Sequence, residues 1–139
     1  MTSDLWKLSA TALMSHLSRG EVSAREATLS VLKRIDDTNP TVNALASVST
    51  ESALKAADTA DAALQRGEAL GPLHGVPVTI KVNIDVQGEP TTDGTLALQD
   101  NVATSDSPLV KSLREAGAII VGRSNAPAFS LRWFTDHSF

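Results

Sequence analysis

Lys81 lies in the middle of a run in which apolar and polar residues alternate without a break. Every second residue is branched and apolar, namely Val76, Val78, Ile80, Val82, Ile84 and Val86, and the residues between them are Pro77, Thr79, Lys81, Asn83 and Asp85. Because side chains in a strand point alternately to opposite faces, the pattern predicts one strand over 76–86 with an apolar face and a polar face. The polar face is either a solvated surface, with the Lys81 amine extended into water, or one wall of a polar site.

Lys81 is the candidate catalytic residue of the chain. A lysine is protonated at neutral pH unless burial disfavours the ammonium form, and only the neutral amine accepts a proton. Loops rich in glycine and proline flank the predicted strand, at residues 71–75 and 87–95. Such loops are a usual setting for binding and catalytic groups. The flanking loops make Lys81 the candidate for a catalytic role of unspecified kind, with a lysine on a solvated strand as the alternative.

Other residue patterns give no support to metal or phosphate chemistry. His16, His74 and His137 have no spacing typical of a shared metal site, and the chain has no cysteine. Asp58 and Asp61 lie three residues apart in a predicted helix, which is typical of a solvated helix face. Neither a dinucleotide-binding glycine motif nor a phosphate-binding loop is present. We predict no metal and no cofactor.

Composition and charge restrict the classes of protein to which this chain can belong. The chain has 139 residues, of which 42% are hydrophobic and 20% are charged, and its formal net charge is −4. This composition suits one globular domain, and the acidic balance gives no reason to expect a nucleic-acid partner. No segment approaches the roughly 18 apolar residues that span a bilayer. We expect a cytoplasmic protein without a membrane partner; a homodimer remains open.

The order of predicted elements indicates an α/β fold. Four helices are expected near residues 10–19, 24–38, 52–66 and 108–117, the first two with N-caps at Ser9 and Ser23 and the second ending at Asn39-Pro40. A short strand is expected at 44–48, and the apolar run 118–121 suits a strand buried on both faces. Strand, helix and strand between 76 and 121 predict a parallel βαβ crossover.

Three of the five aromatic residues, Trp133, Phe134 and Phe139, lie within the last seven positions. Domain termini are usually polar and loosely held. We interpret the chain as one that is cut short, whose last segment packs against something absent from these residues, with a docked C-terminal tail as the alternative.

Several motifs in fixed order together resemble the amino-terminal third of an amidase-signature hydrolase. They are the segment Gly75 to Lys81, then Pro90-Thr91-Thr92, then Asp106 to Val110, and then Leu113 to Pro127. The individual pieces are short, but their order and spacing are specific. The resemblance covers nearly the whole chain, from about Leu8 to Phe139.

The resemblance implies an α/β/α fold with a mixed, largely parallel sheet, and a serine hydrolase of amides that works through an acyl-enzyme. Its triad is a nucleophilic serine, a second serine on a cis peptide bond, and a lysine, and Lys81 matches the lysine. Both serines belong to a glycine- and serine-rich region that this chain lacks. Ser124, Ser130 and Ser138 do not lie in the matching motif. The resemblance therefore implies that residues 1–139 are the N-terminal fragment of a single domain and are inactive alone.

Two positions depart from the pattern of many family members. Val82 stands where many have Asp, and Ala128 stands where many have Glu. The implied partners are a small-molecule amide substrate and the remainder of the polypeptide. Two alternatives stay open: a non-catalytic binding or structural remnant of the fold, and the amidase-like subunit of an aminoacyl-tRNA amidotransferase.

Overall fold

The computed structural model describes residues 2–68 and 70–135, with side chains from residue 4 onward. Asp136, His137, Ser138 and Phe139 lie outside the described residues, so the expectations for them stay predictions. The elements, in chain order, are a 3-10 helix Thr2–Lys7, α1 Ala10–Ser18, α2 Ala24–Val42, β1 Leu45–Val48, α3 Thr50–Gln65, β2 Pro77–Lys81, a 3-10 helix Leu96–Leu98, α4 Pro108–Glu115, β3 Ile119–Ser124 and a 3-10 helix Ala128–Ser130.

The predicted N-caps of the first two helices are confirmed. The Ser9 hydroxyl accepts a hydrogen bond from the backbone N–H of Ala12 at 3.2 Å. Ser23 and Glu26 form a reciprocal capping box, in which each side chain accepts from the backbone N–H of the other, at 3.0 and 2.9 Å. The backbone N–H and the hydroxyl of Ser23 together hold the pKa of the Glu26 carboxyl below its ordinary value. These local bonds satisfy N–H groups that a helix start leaves unpaired.

The predicted end of α2 at Asn39-Pro40 is wrong, because the helix continues through Pro40 to Val42. Asn43 then ends it in a left-handed conformation, φ 47°, and its N–H donates to the Asn39 carbonyl at 2.8 Å. The Asn39 side chain also exchanges two hydrogen bonds with the backbone of Leu45, at 2.9 and 3.0 Å. Contacts with the next strand therefore stabilise this last turn, although proline cannot donate within it.

Asp61 of α3 caps the start of α2, which differs from the solvated helix face predicted for it. Its carboxylate accepts from the backbone N–H groups of Ala24 and Arg25, at 2.6 and 3.1 Å. The Arg25 guanidinium in turn donates to both oxygens of Asp58, at 2.7 and 2.8 Å. The two acidic residues thus join α3 to α2, and only Asp58 is exposed as expected.

The three strands form one mixed sheet in the order β1-β3-β2. β2 and β3 are parallel, with α4 between them in sequence, so the predicted βαβ crossover is confirmed. β1 pairs with the other edge of β3 in the antiparallel direction. This arrangement puts β3 in the centre and leaves the carboxyl ends of β2 and β3 at the same edge of the sheet.

Helices cover the sheet on both sides, which gives an α/β/α arrangement. One core joins α1, α2 and α3 to Val76, Ile119 and Val121. The other joins Ile80, Val86 and Ile120 to Val110 of α4. Alternate residues of β3 therefore enter opposite cores, and the prediction of a strand buried on both faces is confirmed.

The predicted strand over 76–86 is wrong beyond Lys81. The pairing with β3 shifts register between Val78 and Thr79, and the backbone turns immediately after Lys81, where the Ile84 N–H donates to the Lys81 carbonyl at 3.0 Å. The apolar residues do not share one face either: Val76 packs with α1–α3, whereas Ile80 and Val86 pack with α4. More buried and less buried residues thus continue to alternate after Lys81, although the backbone there no longer has strand geometry.

Within residues 2–68 and 70–135, no helix combines the length and the apolar character that a membrane span requires.

Candidate active site

Lys81 is the last residue of β2 and lies at the carboxyl edge of the sheet. In α/β folds with parallel strands, this edge is where ligands bind. The side chain of the preceding Ile80 is buried in the α4 core, whereas Lys81 is half-buried. The backbone beyond it is held to the neighbouring strand, because the Val82 N–H donates to the Ser124 carbonyl at 3.0 Å. The lysine therefore extends from a fixed strand end rather than from a mobile loop.

Three polar side chains meet at this edge. The Lys81 Nζ donates to the hydroxyl of Ser130 at 3.1 Å, and the Asn83 Nδ2 donates to the same hydroxyl at 3.3 Å. The other atom of the Asn83 amide, Oδ1, is buried and has no hydrogen-bond partner among the described residues. The cluster thus combines an amine and a hydroxyl, which can exchange a proton, with an amide that can donate and accept hydrogen bonds.

The segment that carries Ser130 is brought to Lys81 by the loop at 91–95. The backbone N–H of Phe129 donates to the Asp93 carbonyl at 2.8 Å. Gly94 has a φ of +67°, and a Cβ on it would lie 2.3 Å from the Ala126 carbonyl oxygen. Only glycine allows that approach. Phe129 and Ser130 themselves have left-handed φ angles of 52° and 57°, so this turn is held in a conformation that L residues rarely adopt.

The remaining members of the predicted polar row do not join the cluster. Asp85 faces the glycine-rich loop, where its Oδ1 accepts from the Thr91 hydroxyl at 2.6 Å. Thr79 is exposed on the strand. The structure therefore brings Lys81 together with Asn83, separates both from Asp85, and adds Ser130, which the sequence pattern did not place there.

Arg123 is the residue near the site that the sequence interpretation missed. It lies on β3, beyond the predicted end of that strand at Val121, and is 1% exposed. Its guanidinium contacts the backbone on both sides of the turn after Lys81. The sequence signal that could have identified it is a basic residue directly after an apolar run and a glycine. A charge in such a buried strand needs several hydrogen-bond acceptors around it, so the position indicates polar backbone contacts nearby.

A groove of about 630 Å³ lies between α3 and α4, apart from Lys81. Its lining includes Lys55, His74 and Arg114 but not Lys81. Among the described residues, no three acidic or histidine side chains are placed to hold a metal ion. Lys81 and its neighbours are therefore the strongest candidate site.

Comparison with known proteins identifies the family. The family model named Amidase matches residues 26–139, which include Lys81, α2 except its first two residues, and every later element.

The chain belongs to the amidase family.

Individual relatives agree with this assignment. An indoleacetamide hydrolase of Bradyrhizobium diazoefficiens is 43% identical over 133 residues, which are 96% of this chain and 25% of the relative. A glutamyl-tRNA(Gln) amidotransferase subunit of Moorella thermoacetica is 38% identical over 135 residues, 97% of this chain and 28% of the relative. The solved structure of a bacterial aryl acylamidase, an amidase-signature enzyme, superimposes with a TM-score of 0.88 at 26% identity, and covers 95% of this chain and 28% of that one.

The amidase-family fold predicted from the motifs is therefore confirmed for this chain. The chain spans about a quarter of the length of the curated relatives it matches. The catalytic role of Lys81 is a separate matter and stays a prediction.

Proposed function

We propose that the protein to which this chain belongs hydrolyses the C–N bond of amides, with Lys81 as the general base of a Ser-cisSer-Lys triad. The observation that carries the proposal is the position of Lys81 in a chain of the amidase family: it is the last residue of β2, so its amine extends from a fixed strand end at the carboxyl edge of the sheet. An amine held at this edge supports proton exchange with a serine hydroxyl brought to it, which is the chemistry that the family triad requires.

In the proposed reaction, the neutral amine of Lys81 takes a proton from the bridging serine. That serine takes one from the nucleophilic serine, whose oxygen attacks the amide carbonyl. The C–N bond then breaks, the relayed proton goes to the leaving amine, and water hydrolyses the resulting ester. Backbone N–H groups beside the nucleophile would stabilise the tetrahedral oxyanion. Among residues 1–139, we assign only the base to this mechanism.

We further propose that residues 1–139 form the N-terminal part of one amidase-signature domain, whose two serines lie outside these residues. The exposed apolar side chains after β3 support this, since Leu131 and Trp133 are 82% and 102% exposed and would pack on the rest of such a domain. The expected substrate is a small amide, and the expected location is the cytoplasm. The 43% identity with an indoleacetamide hydrolase makes arylalkyl amides the first class to test.

A second candidate function is amide transfer, with this protein as one component of a glutamyl-tRNA(Gln) amidotransferase. The observation in its favour is the 38% identity with a subunit of such an enzyme over 97% of the chain. This function would use the same lysine but would release ammonia from glutamine for a partner protein. Glutamine hydrolysis that depends on copurified partners would favour it, whereas hydrolysis of arylalkyl amides by the purified protein alone favours the amidase.

The test is to measure amide hydrolysis by the full-length protein and its Lys81→Ala variant. We expect kcat/KM for an arylalkyl amide to fall on the order of 10³-fold, because general-base catalysis is lost while the fold is retained. Lys111→Ala, which removes an exposed lysine of α4, is the matched control and should leave kcat/KM unchanged. Turnover by Lys81→Ala close to that of the wild type would refute the assignment.

A further inference from the structure

Arg123 lies where an apolar residue would be expected, in the central strand of the sheet. The three residues Ile119, Ile120 and Val121 before Gly122 are buried and apolar, and Arg123 is buried to the same extent, with 1% exposure. Removing a guanidinium from water is unfavourable unless protein acceptors replace the lost hydration. The groups that accept hydrogen bonds from Arg123 therefore indicate which segments of the backbone it stabilises.

Three of these acceptors are main-chain carbonyls. One terminal nitrogen, Nη2, donates to the carbonyl oxygens of Ile84 and Lys81, at 2.6 and 3.3 Å. The other, Nη1, donates to the carbonyl oxygen of Pro90 at 3.2 Å and to the Glu89 carboxylate at 3.3 Å. Arg123 thus joins the turn after the lysine to the glycine-rich loop that follows it.

The contacts replace strand pairing at the point where β2 ends. The Lys81 carbonyl also accepts from the Ile84 N–H, so the same turn is closed by one backbone bond and by two bonds from the guanidinium. Glu89 is fixed in turn, because its second oxygen accepts from the Ser49 hydroxyl at 2.9 Å. The two terminal nitrogens supply four donors to these four acceptors, whereas Nε is buried without a hydrogen-bond partner among the described residues. The single ammonium of a lysine has three donors and cannot match this set.

We infer that Arg123 is a positioning residue for Lys81: by holding the carbonyls of Lys81 and Ile84, it fixes the strand end from which the catalytic amine projects. The inference rests on the proposed function of Lys81. A lysine side chain has four rotatable carbon–carbon bonds, so the placement of its amine depends on a rigid backbone. Misplacing a catalytic group by about 1 Å can cost about 10²-fold in rate.

The test uses the full-length protein with Arg123→Met, and with Arg66→Met as the matched control. Arg66 follows α3 and pairs with Glu68, and both side chains are about half-exposed. We expect kcat of Arg123→Met to fall at least 20-fold with KM within twofold of the wild type, because binding groups elsewhere are untouched. Amide hydrogen exchange should accelerate in the peptide spanning 82–90 and nowhere in α1 or α2. Arg66→Met should match the wild type in both measurements.

Wild-type kcat in Arg123→Met, or a lower kcat with unchanged exchange at 82–90, would overturn the inference. If Arg123→Met does not fold, Arg123→Lys is measured in its place. This variant keeps the positive charge but loses the planar, two-pronged set of guanidinium donors. A fall in its kcat of less than fivefold would overturn the inference. Failure of the proposed function gives a different result: Lys81→Ala then keeps its activity, while the exchange at 82–90 still reports whether Arg123 fixes the turn.

Discussion

The Ser130 hydroxyl is the nearest described partner of the Lys81 amine, yet its surroundings do not suit a nucleophile. A serine that attacks an amide needs free N–H groups beside it to stabilise the oxyanion. The N–H groups of Phe129, Ser130 and Leu131 all donate to main-chain carbonyls, at 2.8, 2.8 and 3.2 Å. The hydroxyl also accepts from both Lys81 and Asn83. Ser130 therefore serves as an acceptor that orients the amine.

This interpretation predicts that Ser130→Ala in the full-length protein retains amide hydrolysis, with kcat/KM within about threefold of the wild type. The methyl group removes an exposed acceptor of Lys81 and Asn83, and each such contact contributes about 1 kcal/mol or less. Steady-state kinetics, with Lys81→Ala assayed beside it, makes the comparison. A loss as large as that of Lys81→Ala would instead assign the nucleophile to Ser130.

At the scale of elements, the start of α2 depends on a side chain from another helix. The Asp61 carboxylate accepts two N–H groups from the first turn of α2, which are among those that a helix leaves unpaired. The negative charge also lies at the positive end of the helix dipole. Asp58, one turn earlier in α3, makes only an exposed ion pair with Arg25. The two residues therefore differ in role despite their shared helix.

We predict that Asp61→Ala destabilises the protein by about 1–2 kcal/mol, the usual cost of losing a helix cap. Asp58→Ala should cost no more than about 1 kcal/mol, because exposed ion pairs contribute little. Chemical denaturation of the two variants side by side measures the difference. Equal destabilisation by both changes would contradict the structural assignment.

The sequence predicted those features of the elements that depend on residues close together in the chain. The caps at Ser9 and Ser23 involve residues three positions apart, and the βαβ unit follows from its periodicity, so both could be predicted. The end of β2, the Asp61 cap and the meeting of Lys81 with Ser130 depend on contacts between residues far apart in the chain, 37 positions for Asp61 and Ala24 and 49 for Lys81 and Ser130. Arg123 was missed for the same reason, because its acceptors come from two distant loops.

At the scale of the whole molecule, apolar side chains after β3 form an exposed surface. Phe129, Leu131, Trp133 and Phe134 are 56%, 82%, 102% and 61% exposed. Large apolar side chains grouped in this way usually mark a contact surface. Because Ser130 lies within the same segment, a contact there would also bear on the position of the Lys81 amine.

We predict that Trp133 is covered in the full-length protein. Hydroxyl-radical footprinting should show at least fivefold less oxidation of Trp133 in the full-length protein than in the 139-residue chain made alone. Trp6, which is 37% exposed and distant in sequence, is the internal control and should react equally in both. Equal oxidation of Trp133 in the two proteins would show that its segment stays uncovered.

The rate of the first chemical step depends on the base that activates the nucleophile and on no later step of the reaction. With the full-length protein in excess over a chromogenic anilide, release of the aniline in a single turnover reports acylation alone. We predict that Lys81→Ala slows this release by about 10²- to 10⁴-fold, the range of general-base catalysis, while Ser130→Ala and Lys111→Ala stay near the wild-type rate. Release by Lys81→Ala at the wild-type rate would mean that this amine does not accept the proton.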